Sequence, residues 1–148
     1  GIIKDGAKMV NAVANSIVPK FTIITGNSFG AGNYAMCGKA YDPRLIVSWP
    51  WAELAVMGGS QAAKVLVQIQ ESTLKKQGKE ITTEEHNALV EKITQNYTKQ
   101  TKVEYSAARI WIDAIINPLD TRKWISHGIE SANNSPITDK FNLGVIQV

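Results

Sequence analysis

At 148 residues the chain has the size of one ordinary domain, long enough to bury a core, so it is a single domain or a piece of a larger one. With 44% hydrophobic and 20% charged residues and no apolar run long enough to cross a bilayer, its composition is that of a globular chain and excludes a membrane role. The net charge of +3 comes from 16 Lys and Arg scattered along the chain, whose densest stretch, "LKKQGK", lacks the interleaved aromatics of a nucleic-acid footprint; the one cysteine, Cys37, excludes an internal disulfide and fits a reducing compartment.

The chain opens on "GIIKDGAKMVNAVANSIVPK", with neither a methionine nor a signal-peptide pattern, in a helix already under way, which suggests a fragment. From about Lys4 to Ile17, residues Val10, Val13, Ala14 and Ile17 recur at helical spacing, and Pro19 ends the pattern. "KFTIIT" is rich in β-branched residues between Pro19 and Gly26 and predicts a short buried strand. "RLIVSW" and "AELAVM" repeat that signature on either side of a turn at Pro50. From Ser60 the period changes: Ala62, Ala63, Leu66 and Ile69 share a face while Lys64, Gln68 and Glu71 lie elsewhere, which predicts an amphipathic helix running to Gly78.

A second long helix starts at "TTEE", where Thr82 caps and Glu85 bonds back as a capping box, with Leu89, Ile93 and Tyr97 as its apolar stripe. A short helical run around "YSAARIW" and the apolar stretch "DAIIN" follow. Asn117 as N-cap, Pro118 at the first helical position and Asp120 in the first turn then mark another helix start. The tail "DKFNLGVIQV" is apolar and uncapped, which predicts docking on a partner surface. This order of elements fits an α/β layered domain.

The stretch "GNSFGAGNYAM", residues 26–36, carries the functional question. A strand ending in a glycine-rich turn that opens a helix leaves backbone N–H groups without intrahelical partners, aimed at whatever sits before the turn. A phosphate-binding loop would need Lys and Ser or Thr after the glycines, and Asn33, Tyr34 and Ala35 stand there instead. The dinucleotide fingerprint fails on glycine spacing and on the missing acid. An oxyanion hole needs only small residues that let a planar ligand reach the backbone, a need that Ala31 and Gly32 meet; a turn used only for tight helix packing would look the same at this level.

The remaining single residues offer little. Ser28 lacks the nucleophile-elbow pattern and any His and acid partners, and His86 and His127 have no companion at ligand spacing, so no metal is expected. Asp120 and Arg122 read as a cap and a surface pair, and Trp49, Trp51, Trp111 and Trp124 as core or subunit interface.

The run "GNSFGAGNYAMCGKAYDPRLIVSWPWAELAVMGGSQAAKVL" closely resembles the carboxyltransferase (β) subunits of biotin-dependent acyl-CoA carboxylases, and among them the methylcrotonyl-CoA carboxylase type. That type shows G-x-S-[FY]-G-A-G-N-Y-x-M-C-G-[KR]-A-Y-x-P-R followed by V-M-G-G-x-Q-A-A. Further matches are "AKMVNAVA" before the strand, "SAARIWIDAIINPLDTR" after the second long helix and a short apolar C-terminus, so the resemblance covers essentially the whole chain. It implies a crotonase-like α/β fold of stacked ββα units. Residues 1–148 would be the C-terminal part of the second of two such domains, whose first domain binds the acyl-CoA, and the isolated fragment would be inactive.

By the same resemblance, the backbone N–H groups of Ala31 and Gly32 hold the ureido oxygen of biotin as negative charge develops there. Phe29 and Tyr34 flank its ring, and Gly30, Gly58 and Gly59 line the same pocket; a core role for the aromatics and a tight strand-to-helix turn at Gly58 and Gly59 remain open. Biotin arrives on a partner subunit or domain from the biotin carboxylase, the acyl-CoA is the substrate, and the base is biotin itself, so no protein general base and no metal is needed. The implied partners are the biotin carboxylase and carrier subunit, the protein's own N-terminal crotonase-like domain and further copies in a homo-oligomer. The implied compartment is bacterial cytoplasm or, alternatively, the mitochondrial matrix. Asn27 stands where the type often has a second glycine, and Ser60 where an acid is common. Propionyl- and acetyl-type loops read "GGAYDVM", against which Asn33 and Tyr34 favour a branched, unsaturated acyl group. Glutaconyl-CoA decarboxylase subunits share much of the pattern and run the transfer in reverse. A reading of another class is a non-catalytic oligomerisation or binding module.

Overall fold

The computed structural model describes residues 1–78, 82–136 and 140. Helix α1 (Ile2–Asn15) ends as Ser16 turns extended, and the Lys20 ammonium donates to the carbonyls of Val13 (3.2 Å) and Ser16 (3.1 Å), satisfying acceptors that the helix end leaves open. The β-branched runs form strands β1 (Phe21–Ile24) and β3 (Leu45–Ser48), paired in parallel with Phe21 opposite Leu45 and Ile24 opposite Ser48. Strands β2 (Asn27–Phe29) and β4 (Glu53–Ala55) pair in parallel as a second sheet, and β5 (Ala114–Ile115) extends the first sheet beyond β3.

Parallel neighbours require a crossover, and here each crossover contains a strand of the other sheet and a helix. The chain runs β1, β2, helix α2 (Gly30–Ala35) and a 3-10 turn at Lys39–Tyr41, then β3, β4 and helix α3 (Gly59–Lys76). Two strand-strand-helix units therefore stack, first strand on first and second on second. Strand β2 is absent from the sequence-based expectation, which places a plain turn at Gly26 to Phe29. Asn27 and Ser28 are poor strand formers, and the ladder to β4, remote in sequence, overrides that preference.

The core cluster is Ile24, Ile46, Ala52, Leu54, Val103 and Ile112, beside the fully buried Val47 and Ser48. Asp113 closes the open side of β3: its N–H donates to the Ile46 carbonyl and its carboxylate accepts the Ile46 N–H, both at 2.8 Å. Helix α4 (Thr83–Thr101) packs along α3 through the half-buried stripe of Leu89, Ile93 and Tyr97, and Glu71 Oε1 and His86 Nδ1 meet across the pair at 2.6 Å.

The short helix α5 (Val103–Ala107) stops before "RIW", where Ile110 takes a left-handed φ of 59°. At Asn117 the expected N-cap is present, its side chain accepting the Leu119 N–H at 3.0 Å. It caps a 3-10 turn (Pro118–Asp120), however, and α6 (Thr121–Asn133) follows without a side-chain bond from Asp120. Trp49 and Trp124 are half-buried, while Trp51 and Trp111 are 61% and 45% exposed and lie outside the core. The predicted docking tail, 139–148, lies outside the described residues except for Lys140.

The capping box of α4 is present as the sequence predicts: Thr82 Oγ1 accepts the Glu85 N–H at 3.3 Å and Glu85 Oε2 accepts the Thr82 N–H at 3.0 Å. The Thr82 backbone bond first, and the Thr82 hydroxyl second, hold the Glu85 carboxyl below its ordinary value. Because the folded value is depressed, this contribution is complete above the ordinary carboxylate value and is lost as pH falls through the lowered one. Thr82→Ala should cost about 1 kcal/mol of stability at neutral pH. In thermal melts followed by circular dichroism, the gap between variant and parent should narrow in acid.

Candidate functional site

Because β2 and β4 run parallel side by side, their C-terminal ends deliver two glycine-containing segments to the same edge of the small sheet: Gly30 after β2, and Val56 to Gly58 after β4. Gly30 has φ of +58°, and a Cβ there would lie 2.8 Å from the Val56 carbonyl oxygen. No other residue satisfies both the conformation and the space. The Phe29 ring lies 3.9 Å from where a Gly58 Cβ would sit, so the two segments touch at a second point.

From this anchored turn α2 begins. Ala31 and Gly32 are exposed, and among the described residues their N–H groups have no hydrogen-bond partner, as helix geometry dictates for a first turn that no side chain caps. Nothing lies within 4 Å of the direction a Gly32 Cβ would take. Asn33 turns back instead: its carbonyl and side-chain oxygens fill the space beside Gly38, and α2 closes through the N–H groups of Cys37 and Gly38 on the Tyr34 carbonyl. Cys37 is buried. Tyr34 is 53% exposed and meets Tyr41 edge to face at 6.4 Å.

Of the residues selected from sequence, Phe29, Gly30, Ala31, Gly32 and Tyr34 form one continuous turn, and Gly58 joins them through Phe29. Gly59 faces elsewhere, with its Cβ direction 3.7 Å from the Tyr97 ring, and serves the approach of α3 to α4. Behind α2 lies a cavity of about 420 Å³ whose walls include Gly30, Asn33, Tyr34, Tyr97, Tyr105 and Trp111, a volume in the range of small-molecule pockets. Ala31, Gly32, Phe29, Gly58 and Gly59 are not in its walls. Sequence reasoning missed this cavity. Tyr97 was visible only as part of an apolar stripe, and Tyr105 and Trp111 sit on a helix and a bend whose relation to α2 is set by tertiary packing.

The chemistry on offer is narrow. Among the described residues no carboxylate lines the cavity, and Lys39 at its wall is paired with Asp113 at 3.2 Å. His86 is engaged by Glu71, and His127 lies 3.4 Å from Glu130. Among the described residues no group of three His, Cys, Asp or Glu is placed to hold a metal ion. What remains is a pair of amides without hydrogen-bond partners among the described residues, beside small residues and aromatic rings, groups able to donate to an oxygen but not to transfer a proton.

The carboxyl transferase domain family matches residues 1–143. A methylcrotonoyl-CoA carboxylase beta chain, mitochondrial, from Arabidopsis thaliana is 51% identical over 139 residues, covering 94% of this chain and 24% of that protein. The crystal structure of the P. aeruginosa geranyl-CoA carboxylase beta subunit superposes with a TM-score of 0.78 at 36% identity, over all of this chain and 27% of that one. A transcarboxylase 12S structure described as a hexamer assembly gives 0.82 at 29% identity with the same coverage. The chain thus spans about a quarter of the length of these relatives, and its stacked strand-strand-helix units are those of the crotonase-like fold that the sequence resemblance implied.

Gly30→Ala should be destabilising by at least about 2 kcal/mol, from a left-handed φ and contact with a main-chain oxygen that cannot retreat without opening β4. Chemical denaturation of the variant against the parent measures it.

Proposed function

The chain belongs to the carboxyl transferase domain family, and from that premise we propose that residues 1–148 are the C-terminal part of the second domain of a carboxyltransferase (β) subunit in a biotin-dependent acyl-CoA carboxylase. The observation that carries this reading is the amide pair of Ala31 and Gly32, on exposed residues and without hydrogen-bond partners among the described residues, with open space where a Gly32 side chain would project. Biotin fits such a site: its ureido oxygen needs donors and no countercharge, and its flat rings need small residues at the point of approach.

In this reading the Ala31 and Gly32 N–H groups hold the ureido oxygen and stabilise the charge that develops on it, in the manner of an oxyanion hole. Gly30 sets their direction through its contact with Val56, Phe29 and Tyr34 flank the rings, and Gly58 and Gly59 start the helix that backs the site. When bound, biotin supplies both the carboxyl group and the base that takes the acyl-CoA proton, which accounts for a turn that contributes no acid or base. The acyl-CoA would be held by the N-terminal crotonase-like domain. The partners would be the biotin carboxylase and carrier subunit and further copies of the same chain. The best substrate is 3-methylcrotonyl-CoA, supported by the identity to the Arabidopsis protein and by Asn33 and Tyr34 in the loop. Bacterial cytoplasm or the mitochondrial matrix would be the compartment.

Full-length protein with its biotin-bearing partner should transfer labelled carboxyl to 3-methylcrotonyl-CoA; failure with every acyl-CoA would overturn the assignment. Gly32→Val points its side chain into free space, so stability should stay within about 0.5 kcal/mol of the parent. Obstructing the amides should nevertheless lower kcat by about 100-fold or more. If the turn served only to pack a helix in a non-catalytic module, the same variant would leave carboxyl transfer by the full-length protein unchanged.

A further inference from the structure

We infer that Tyr97 is a positioning residue for the amide pair at Ala31 and Gly32, an inference that rests on reading that pair as the biotin site. The Tyr97 hydroxyl donates to the Met57 carbonyl at 3.0 Å and accepts the Met57 N–H at 3.4 Å. One side-chain atom thus satisfies both main-chain groups of a residue that belongs to no strand or helix, and among the described residues neither group has another partner. Such a segment has no ladder of its own to fix it.

The segment so held is the one that shapes the turn. Val56, next to Met57, carries the carbonyl oxygen against which Gly30 is seated, and Gly58, on the other side, meets the Phe29 ring. The Tyr97 ring itself packs 3.7 Å from the Cβ direction of Gly59, so α4 grips this loop by ring and hydroxyl together. The path from α4 to the amides is short: Tyr97 to Met57, Val56 to Gly30, Gly30 to Ala31 and Gly32. Tyr97 also shares the cavity wall behind α2 with Val56 and Gly30, the two residues that make the contact at the turn.

In the full-length protein, Tyr97→Phe keeps the ring on Gly59 and removes only the hydroxyl. Deuterium uptake measured without ligand should rise in peptides covering Val56 to Gly59 and Phe29 to Tyr34 and stay unchanged in α1 and α6. With the biotin-bearing partner, kcat should fall roughly tenfold. The KM for the acyl-CoA, held by the other domain, should hold. A folded variant with parental uptake over Phe29 to Tyr34, or with parental kcat, overturns the inference, as does a variant that fails to fold, since the hydroxyl would then serve the fold alone. Gly32→Val separates this outcome from failure of the site itself. An inactive Gly32→Val beside a normal Tyr97→Phe removes Tyr97 only, whereas an active Gly32→Val removes the amide site on which the inference stands.

Discussion

The carbonyl oxygen of Val56 occupies the space that a side chain at Gly30 would need, and the site is arranged around that contact. It exists because two three-residue strands, β2 and β4, lie in parallel register and release the chain at the same edge. With Gly30 forced left-handed at that point, the chain turns at once into α2, and the next two amides have no preceding helical carbonyl to accept them. Lengthening or slipping either strand by one residue would move the contact and re-aim the amides, because side-chain and main-chain directions alternate along a strand.

Main-chain amides suit a reaction in which charge appears on an oxygen and then disappears. They cost no reorganisation at the moment of reaction, they do not titrate, and they leave proton transfer to whatever binds. The charged residues nearby are already committed: Lys39 to Asp113, and Asp113 to the edge of β3 through Ile46. Those pairs are partly exposed and weak as sources of stability. Helix α4, secured against α3 at its far end by the capping box and the contact of Glu71 with His86, contributes Tyr97 and Gln100 to the cavity wall.

Much of this was legible in the sequence where the cause is local. β-branched runs marked β1 and β3, the apolar run "AELAVM" marked β4, the Thr82 to Glu85 spacing marked the start of α4, and Asn117 with Pro118 marked a capped turn, though of 3-10 type before the α-helix begins. The glycine turn and the lack of partners for the two amides that follow it were also readable, since an uncapped helix start leaves such groups open by geometry. Strand β2 was not, because nothing in Asn27, Ser28 and Phe29 announces a ladder with residues far along the chain. Nor was the bond from Tyr97 to Met57, which depends on α4 folding back across α3. Trp51 and Trp111 lie outside this chain's core, where their apolar neighbours had suggested core or subunit interface, because they sit on bends that sequence periodicity does not encode.

The interleaved strand order has a consequence for how the molecule comes into being. In neither pair can a strand find its neighbour locally: Phe21 waits for Leu45, and Asn27 waits for Glu53, with the helix of the first unit lying between. Such topology favours slow, all-or-none assembly over stepwise growth. During synthesis on the ribosome β1 and β2 emerge before β3 and β4, so these two ladders close only when the second strand-strand-helix unit has followed the first out of the exit tunnel.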